Sequence, residues 1–277
     1  MFSEQKIDGF MMKHFSLKDR RLNLRPWLDY KKKVKKCKTK LKIAMIGKYV
    51  DLLDSYKSLN EALYHAGVIN SRIVDIVYLD SEKLNKRNIA RLSEMNGVLV
   101  PGGFGDRGIE GKILAAQFAR INNIPYFGIC LGMQISVIEF ARNVIRLNKA
   151  NSTEFNRNTK NPVVALVEEW RETSGKRVLA DKTKMGGTMR PGSQECIIGR
   201  NTLAYKMYKK TSINERHRHR YEVNGNLIGE FEKNGLAFSG KSKKGNLMEM
   251  IELNNHIWYV GCQFHPEFTS SPIEGHP

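Results

Sequence analysis

The feature that most constrains the fold of this chain is the regular alternation of strand-like and helix-like segments between residues 41 and 142. Short apolar runs typical of buried strands alternate with longer segments whose apolar residues recur every three or four positions. The pattern predicts strands over 41–47, 72–79, 97–100 and 124–129, and helices over 55–65, 82–92, 108–121 and 131–142. Such alternation predicts an α/β fold with a mostly parallel central sheet and helices on both of its faces.

The second half of the chain is richer in short strand-like runs. They cover 163–167, 218–223, 236–239, 247–253 and 258–264, and we expect them to extend the same sheet rather than form a separate domain. In open sheets of this kind, ligands bind at the carboxyl ends of the parallel strands. The loops at the ends of two predicted strands, 101–105 and 128–132, are therefore the strongest candidates for a functional site.

The basic character of the chain is concentrated at its N-terminus. The 277 residues carry a net charge of +18, which would ordinarily indicate a nucleic acid or an anionic surface as partner. Residues 1–42 hold fourteen Lys/Arg against four Asp/Glu, so the other 235 residues share only +8. The lysine-rich run 31–36 has no interleaved aromatic residues. We therefore interpret residues 1–40 as a basic interdomain linker with a solvated face, and 41–277 as the folded domain.

The sequence indicates a soluble protein of the cell interior. It contains no run of about 18 apolar residues, and its N-terminus lacks the apolar segment of a signal peptide, so we expect a cytoplasmic location without membrane contact. Cys37, Cys130, Cys196 and Cys262 lie far apart without a C-x-x-C pair. This spacing argues against a disulfide framework and against a zinc knuckle.

Cys130 stands between two glycines in the segment Gly128-Ile-Cys-Leu-Gly132, at a predicted strand-to-helix turn. A sharp turn of this kind, called a nucleophile elbow, holds its central residue in a strained conformation, and the glycines allow neighbouring chain to pass close by. The helix N-terminus favours negative charge and hence the thiolate. The alternative is a buried structural cysteine, but the glycines and the position at a strand end favour a nucleophile.

A partner for such a nucleophile lies in the segment His265-Pro-Glu267. A thiolate that attacks an amide needs a proton donor for the leaving amine and a group that orients this donor. In an extended segment, residues two apart face the same way, so the Glu267 carboxylate is placed to hold the His265 imidazole. The segment alone is typical of a surface loop, but together with Cys130 it predicts a catalytic triad.

An acyl-transfer site also needs backbone N–H groups near the attacked carbonyl. The amide of Leu131 at the helix start is one candidate, and the glycine-rich loop 101–105 is a source of the second. A phosphate-binding loop is the alternative interpretation of 101–105. That interpretation is disfavoured because the loop lacks the Lys-Ser/Thr ending of a P-loop and the spacing of a dinucleotide loop.

The densest basic patch outside the N-terminal segment contains alternating arginines and histidines. His217 and His219 lack the cysteine or carboxylate set that would complete a metal site, so we predict no metal. Cys262 belongs to only half of a zinc pattern and is interpreted as a core residue. Arg218 and Arg220 are expected on one strand face, where arginine is suited to bind the carboxylate of an amino-acid substrate.

These motifs together resemble the class I (triad) glutamine amidotransferases and, within them, the glutaminase domains of the CTP synthase family. The class resemblance rests on the segments 128–134 (GICLGMQ) and 263–267 (QFHPE). The narrower resemblance rests on 101–108, 150–155, 185–190, 215–224 and 268–277. It covers the chain from about residue 20 to the end. It implies the flavodoxin-like, three-layer fold of that class, with additional antiparallel strands.

Carried over residue by residue, the resemblance implies Cys130 as nucleophile, His265 as acid and base, and Glu267 as its orienter. Gly103 and Leu131 would supply the oxyanion-hole amides and also contact the substrate. The resemblance implies further glutamine-binding residues, namely Gly132, Met133, Gln134, Glu154 (α-amino group) and Arg220 (amino-acid end). Residue types and spacing by themselves indicate only Arg220.

The resemblance also implies partners. Ammonia from L-glutamine would pass to an amidoligase domain, where UTP activated by ATP with Mg²⁺ is aminated to CTP, and GTP would act as allosteric activator. No cofactor is expected in the glutaminase domain itself. We expect that the chain lacks its amidoligase domain, is truncated at its C-terminus, binds no nucleic acid and forms a homotetramer only as the full-length enzyme. Pro191 stands where the family's lid segment leads us to expect leucine.

Two alternatives stay open from the sequence. One is a stand-alone glutaminase subunit that serves another amidoligase in trans. The other is a non-catalytic module that binds polyanions through its basic N-terminal segment. The presence of Cys130, His265 and Glu267 favours an enzyme over the second alternative.

Overall fold

The computed structural model of the protein describes residues 4–18, 23–48, 50, 52–166, 189–244 and 247–277. Its helices are α1 (Ile7–His14), α2 (Arg25–Lys36), α3 (Lys57–Ile69), α4 (Ile109–Ile121), α5 (Leu131–Asn143), α6 (Leu203–Tyr208) and α7 (Ile228–Lys233). Its strands are β1 (Thr39–Gly47), β2 (Arg72–Asp80), β3 (Gly97–Val100), β4 (Tyr126–Ile129), β5 (Asn151–Ser152), β6 (Pro162–Leu166), β7 (Arg190–Ile198), β8 (Ser212–His219), β9 (Tyr221–Val223), β10 (Leu236–Ser242), β11 (Met248–Leu253) and β12 (Tyr259–Cys262).

A large mixed sheet forms the centre of the molecule. Within the described ranges it has nine strands in the order β2-β1-β3-β4-β12-β11-β10-β7-β8. The first five strands pair in parallel, and the remaining pairings are antiparallel. The parallel strands predicted between residues 41 and 129 are therefore confirmed. β12, which lies more than 120 residues further along the chain, completes the parallel part beside β4.

The strands of the sheet bury side chains on both faces. On β1, Ala44 and Ile46 belong to one apolar core, whereas Met45 between them belongs to the other. This alternation follows from the two-residue period of a strand. Helices α4 and α5 cover the first core, and α3 and α6 contribute to the second. The predicted arrangement of helices on both faces is confirmed.

The expectation that every strand of the second half joins this sheet is wrong. β5, β6 and β9 form a separate three-stranded sheet. The run predicted as one strand over 218–223 is divided at Arg220, so that β8 stays in the main sheet and β9 pairs with β6. Periodicity reports which side chains are buried, and it carries no information on which strand becomes the neighbour.

The helix predicted over 82–92 is also wrong, because only a short 3₁₀ helix, Ile89–Glu94, forms there. Asparagine side chains occupy the backbone groups that an α-helix would use. The N–H of Asn85 donates to Asn88 Oδ1 at 2.8 Å, and the N–H of Arg87 donates to Asn85 Oδ1 at 2.9 Å. Such side-chain bonds compete with helical ones, which explains the turn.

The N-terminal segment interpreted as a linker contains two helices, α1 and α2, and the lysines of the run 31–36 are exposed on α2. Strand β7 was not predicted, since Pro191 and Gly192 near its start are unfavourable in strands. The proline is tolerated because, within the described ranges, β10 pairs only with Cys196–Ile198 of β7, so the first part of β7 has no described strand on that side. Residues 185–188 of the predicted lid segment lie outside the described residues.

No helix in the described ranges combines the length and the apolar character needed to cross a membrane.

Candidate active site

The candidate site lies where four parallel strands end. Lys48 follows β1, the loop 101–105 follows β3, Cys130 follows β4, and residues 263–267 follow β12. Because parallel strands point the same way, their carboxyl ends meet at one edge of the sheet. The two loops proposed from the sequence as site candidates are thus neighbours, and the His265-Pro-Glu267 segment joins them from the far end of the chain.

Cys130 occupies a sharp turn between β4 and α5. Its backbone has φ 52° and ψ −101°, an unfavourable conformation for a residue with a Cβ atom. The flanking glycines are required by close packing: a Cβ on Gly128 would lie 2.5 Å from the carbonyl of Gly132, and one on Gly132 would lie 2.1 Å from the carbonyl oxygen of Val100. This geometry is the nucleophile elbow predicted from the sequence, and it places the thiol at the N-terminus of α5.

His265 and Glu267 form a close pair directly beside this thiol. His265 Nδ1 lies 2.7 Å from Glu267 Oε1. A Cβ on Gly102 would lie 2.7 Å from His265 Cε1 and 3.5 Å from the Cβ of Cys130, so the histidine ring and the cysteine border the same small space. Burial opposes the imidazolium, but hydrogen bonds and charges of Cys130 and Glu267 outweigh it and raise the pKa of His265 to about 10.

The segment that carries this pair is held by strand β8. The N–H of His265 donates to the carbonyl of Arg216 at 2.8 Å. Phe268 stacks on the His265 ring with centroids 5.2 Å apart, and the Thr269 hydroxyl donates to Glu215 Oε2 at 3.1 Å. Glu215 in turn accepts from Tyr208 and contacts His276 near the C-terminus. These contacts restrain the backbone on both sides of the His265–Glu267 pair.

The residues predicted as oxyanion-hole donors lie side by side. Leu131 begins α5, and the first N–H groups of a helix have no partner within it. Gly103 packs against Leu131, since a Cβ on this glycine would lie 3.4 Å from Leu131 Cδ2. The loop is anchored from outside: Lys48 Nζ donates to the carbonyl of Phe104, and the N–H of Gly105 donates to Glu154 Oε1 at 2.8 Å.

Cys130 opens on two cavities. The narrower one, about 20 Å³, is lined by Gly103, Gln134, Glu154 and Arg220, among others, and so brings four predicted substrate-binding residues together around the thiol. Leu131, Gly132 and Met133 are buried behind it, line neither cavity, and would reach a ligand only through backbone N–H groups.

The wider cavity, about 280 Å³, also borders Cys130 and is lined by Gly102, His265 and Arg218, among others. The expectation that Arg218 and Arg220 share one strand face is therefore wrong. β8 ends at His219, and Arg220 lies in the corner that leads to β9. The corner turns the two arginines toward different cavities, so only Arg220 borders the narrow one.

Glu154 has charged neighbours that sequence reasoning missed. Burial raises the pKa of Glu154, while the Gly105 N–H and the ammonium groups of Lys48 and Lys112 oppose the rise. Burial, together with the charge of Lys48, lowers the pKa of Lys112 to about 8. Lys48 could have been suspected because it follows the end of a buried strand, whereas Lys112 lies within an ordinary helical pattern.

The buried histidines of β8 belong to an ionic cluster. Arg190 donates to Glu222 Oε1 at 2.7 Å and to Glu249 Oε1 at 3.0 Å, and His219 Nε2 lies 2.8 Å from Glu222 Oε1. Burial and the neighbouring Glu222 raise the pKa of Glu249 to about 7. Burial, with the charges of His219 and Arg190, lowers the pKa of His217 to about 2. His219 of this cluster directly precedes Arg220 in the chain.

Cys262 is fully buried, and its Sγ donates to the carbonyl of Phe264 at 3.4 Å. Burial raises the pKa of this thiol well above its usual value. The interpretation of Cys262 as a core residue agrees with this position. Within the described ranges, no group of three or more His, Cys, Asp or Glu side chains is arranged to hold a metal ion.

A strained cysteine at a helix start lies beside a partly buried His–Glu pair, and a parallel sheet joins the two. The family model described as glutamine amidotransferase class-I matches residues 51–277. The chain belongs to this family, as its motifs indicated.

The chain is also similar to two curated CTP synthases. The CTP synthase of Buchnera aphidicola subsp. Schizaphis graminum is 49% identical over 282 residues, which cover 100% of this chain and 51% of the relative. The CTP synthase of Buchnera aphidicola subsp. Baizongia pistaciae is 48% identical over 278 residues, which cover 99% of this chain and 50% of the relative. The chain thus spans about half the length of the curated relatives it matches.

The fold of the chain is also similar to that of a solved glutaminase domain. The glutaminase domain of Trypanosoma brucei CTPS with bound acivicin superposes with a TM-score of 0.76 at 37% sequence identity, covering 86% of this chain and 90% of that domain. The three-layer fold expected from the motifs, with its mostly parallel sheet and added antiparallel strands, is thereby confirmed.

Proposed function

We propose that this chain hydrolyses L-glutamine to glutamate and ammonia through a triad of Cys130, His265 and Glu267 and a γ-glutamyl thioester. The observation that carries the proposal is the His265–Glu267 pair, 2.7 Å apart, beside a cysteine held at φ 52°. A strained thiol with an oriented imidazole next to it is the arrangement of a cysteine nucleophile and its acid-base partner. The CTP synthase relatives and the glutaminase domain from Trypanosoma brucei support the choice of substrate.

The first half of the reaction forms the thioester. Cys130 Sγ attacks the side-chain amide carbon of glutamine, and the carbonyl oxygen develops negative charge that the N–H groups of Gly103 and Leu131 stabilise. The C–N bond then breaks, and His265 gives its proton to the departing nitrogen, which leaves as ammonia. An imidazolium with a pKa of about 10 is fully charged at neutral pH and is thus ready to donate.

The second half releases glutamate. After proton donation His265 is neutral, and it takes a proton from water as the water oxygen attacks the thioester carbon. The carbon–sulfur bond breaks, and the Cys130 thiolate and the imidazolium are restored together. Glu267 holds the imidazole in position and stabilises its positive charge in both halves of the reaction.

The charged residues that line the narrow cavity support the choice of an amino-acid amide. In this proposal Glu154 receives the α-amino group of glutamine, and Arg220 binds its carboxylate end. Gln134 borders the same space from the α5 side.

The proposal also covers the reaction that consumes the ammonia. The CTP synthase relatives are about twice as long as this chain. We therefore assign the amination of UTP to CTP, with ATP and Mg²⁺, to an amidoligase domain outside this chain, with GTP as activator of the glutaminase step. The full-length enzyme would form the homotetramer.

Ammonia release from L-glutamine tests the proposal, with mass spectrometry of Cys130 for a γ-glutamyl adduct. We expect turnover and an adduct in the wild-type chain and in the control Cys37→Ala, which removes a thiol far from the site. Cys130→Ala should abolish both. Turnover that survives in Cys130→Ala, or neither ammonia nor adduct in the wild type at saturating glutamine, would contradict the proposed triad.

A further inference from the structure

A buried side-chain amide contacts the sulfur of Cys130, and the triad does not include it. Gln263 is fully buried at the end of β12, and its Nε2 lies 3.6 Å from Cys130 Sγ, within hydrogen-bond distance for sulfur. Its Oε1 accepts from Gln134 Nε2 at 3.1 Å. The side chain therefore bridges α5 and the nucleophile across a separation of more than 120 residues.

The direction of this relay is determined by a backbone carbonyl. Gln134 Nε2 also lies 3.0 Å from the carbonyl oxygen of Tyr221, which accepts hydrogen bonds and never donates them. The atom of Gln134 at that position must therefore be its amide nitrogen. Its second N–H then points at Gln263, so the Gln263 atom that meets it must be the oxygen. By elimination, the amide nitrogen of Gln263 faces Cys130.

A donor at this position has a chemical consequence for the thiol. An N–H group directed at sulfur stabilises the charged thiolate more than the neutral thiol, because hydrogen bonds to ions are roughly twice as strong as those between neutral groups. Where little of a sulfur atom is exposed, solvent replaces such a donor poorly when it is lost. Cys130 is only 3% exposed, so its thiolate depends on protein donors.

We propose that Gln263 is a further catalytic residue that stabilises the Cys130 thiolate by direct hydrogen bonding, and that Gln134 and the Tyr221 carbonyl hold its amide in the donating orientation. The inference rests on the proposed function for its role in turnover. Thiolate is the attacking species in the first half-reaction and the leaving group in the second, so one donor assists both.

Alkylation of Cys130 by iodoacetamide, without glutamine, tests the inference in the whole chain. Gln263→Met keeps the side-chain volume but removes the donor, and we expect the alkylation rate to fall about tenfold at pH 7, because the lost hydrogen bond stabilised a charged sulfur. At pH 9 the difference should shrink to about twofold, because alkali ionises the thiol without help. A purely structural defect would lower the rate equally at both pH values.

Two further variants complete the design. Gln263→Glu still accepts from Gln134 but places a carboxylate against sulfur, so alkylation at pH 7 should fall further than in Gln263→Met, and this polar variant serves if the methionine one does not fold. Gln194→Met is the matched control: it removes an amide bonded to the Pro191 carbonyl on β7, three strands from β12, and should leave the rate unchanged.

Alkylation of Gln263→Met at the wild-type rate at pH 7 would overturn the inference, as would an equal loss at both pH values. In glutamine hydrolysis, we expect the same variant to lower kcat about tenfold while KM changes less than twofold. If the wild-type chain hydrolyses no glutamine but the alkylation rates behave as expected, the proposed function fails and the thiolate contact stands.

Discussion

Replacing Gly132 by alanine should destabilise the protein strongly. The added Cβ would lie 2.1 Å from the carbonyl oxygen of Val100 and 3.0 Å from its carbonyl carbon, where ordinary contact begins at 3.4 Å. Both of these Val100 atoms are backbone atoms at the end of β3, and Gly132 lies in the first turn of α5. No side chain can therefore rotate away to relieve the contact. The helix and the strand must separate by more than about 1 Å, and overpacking of a core on this scale costs about 3 kcal/mol or more.

Thermal unfolding measures this effect. A loss of about 3 kcal/mol corresponds to a fall of about 6–12 °C in Tm for a domain of this size. The control is Gly229→Ala in α7, where an added Cβ meets no atom within 4 Å. Since alanine is a better helix former than glycine by about 1 kcal/mol, that variant should unfold slightly higher than the wild type.

Gly132→Ala should also lower the reactivity of Cys130. Movement of the first turn of α5 displaces Cys130 from His265, so Gly132→Ala should also lose most alkylation of Cys130 at neutral pH, whereas Gly229→Ala should keep it. A Gly132→Ala protein with wild-type Tm would refute the reasoning, because it would show that α5 does not approach the end of β3 as closely as the geometry requires.

Three other perturbations have defined outcomes. Glu267→Gln removes a carboxylate that stabilises the imidazolium, so the pKa of His265 should fall below about 10 in an NMR titration of its ring; an unchanged value would exclude the pairing. Arg190→Met removes the guanidinium that donates to both Glu222 and Glu249 and should lower the free energy of unfolding by about 3–5 kcal/mol. Burial raises the pKa of Glu249 to about 7 in the folded protein, so this carboxyl is protonated at pH 5 and charged at pH 8. The loss of stability in Arg190→Met should therefore be larger at pH 8 than at pH 5. A pH-independent loss in denaturant titrations would contradict this. Thr269→Val leaves a buried acceptor unsatisfied and should cost about 1–2 kcal/mol in the same assay.

Local patterns predicted much of this molecule. The strands that follow one another between residues 41 and 129 were predicted nearly to their ends, and the glycines around Cys130 indicated the elbow. Both depend on short-range rules, namely the period of a buried strand and the steric demand of a tight turn. The same rules failed over 82–92, where Asn85 and Asn88 compete for the backbone, because helical periodicity does not register side-chain hydrogen bonds.

In the candidate site, too, local patterns predicted some residues and missed others. Cys130, His265 and Glu267 were predicted because their residue types and spacing limit the chemistry they perform. Glu154 was indicated only by resemblance, and its bond to Gly105 shows why: the two residues lie 49 positions apart and meet through folding alone. Lys112 gave no signal, since one lysine in a helix is ordinary until burial gives it an altered pKa.

The sequence by itself determined the alternating α/β order and the strained turn at Cys130 and indicated the residues of the proposed triad, because each of these depends on a few adjacent residues. Only the tertiary structure decided that the chain changes sheets at Arg220, that Arg190 lies between two buried carboxylates, and that the amide of Gln263 faces sulfur. These features depend on which distant groups become neighbours, and the orientation of a buried amide follows from all of its neighbours at once.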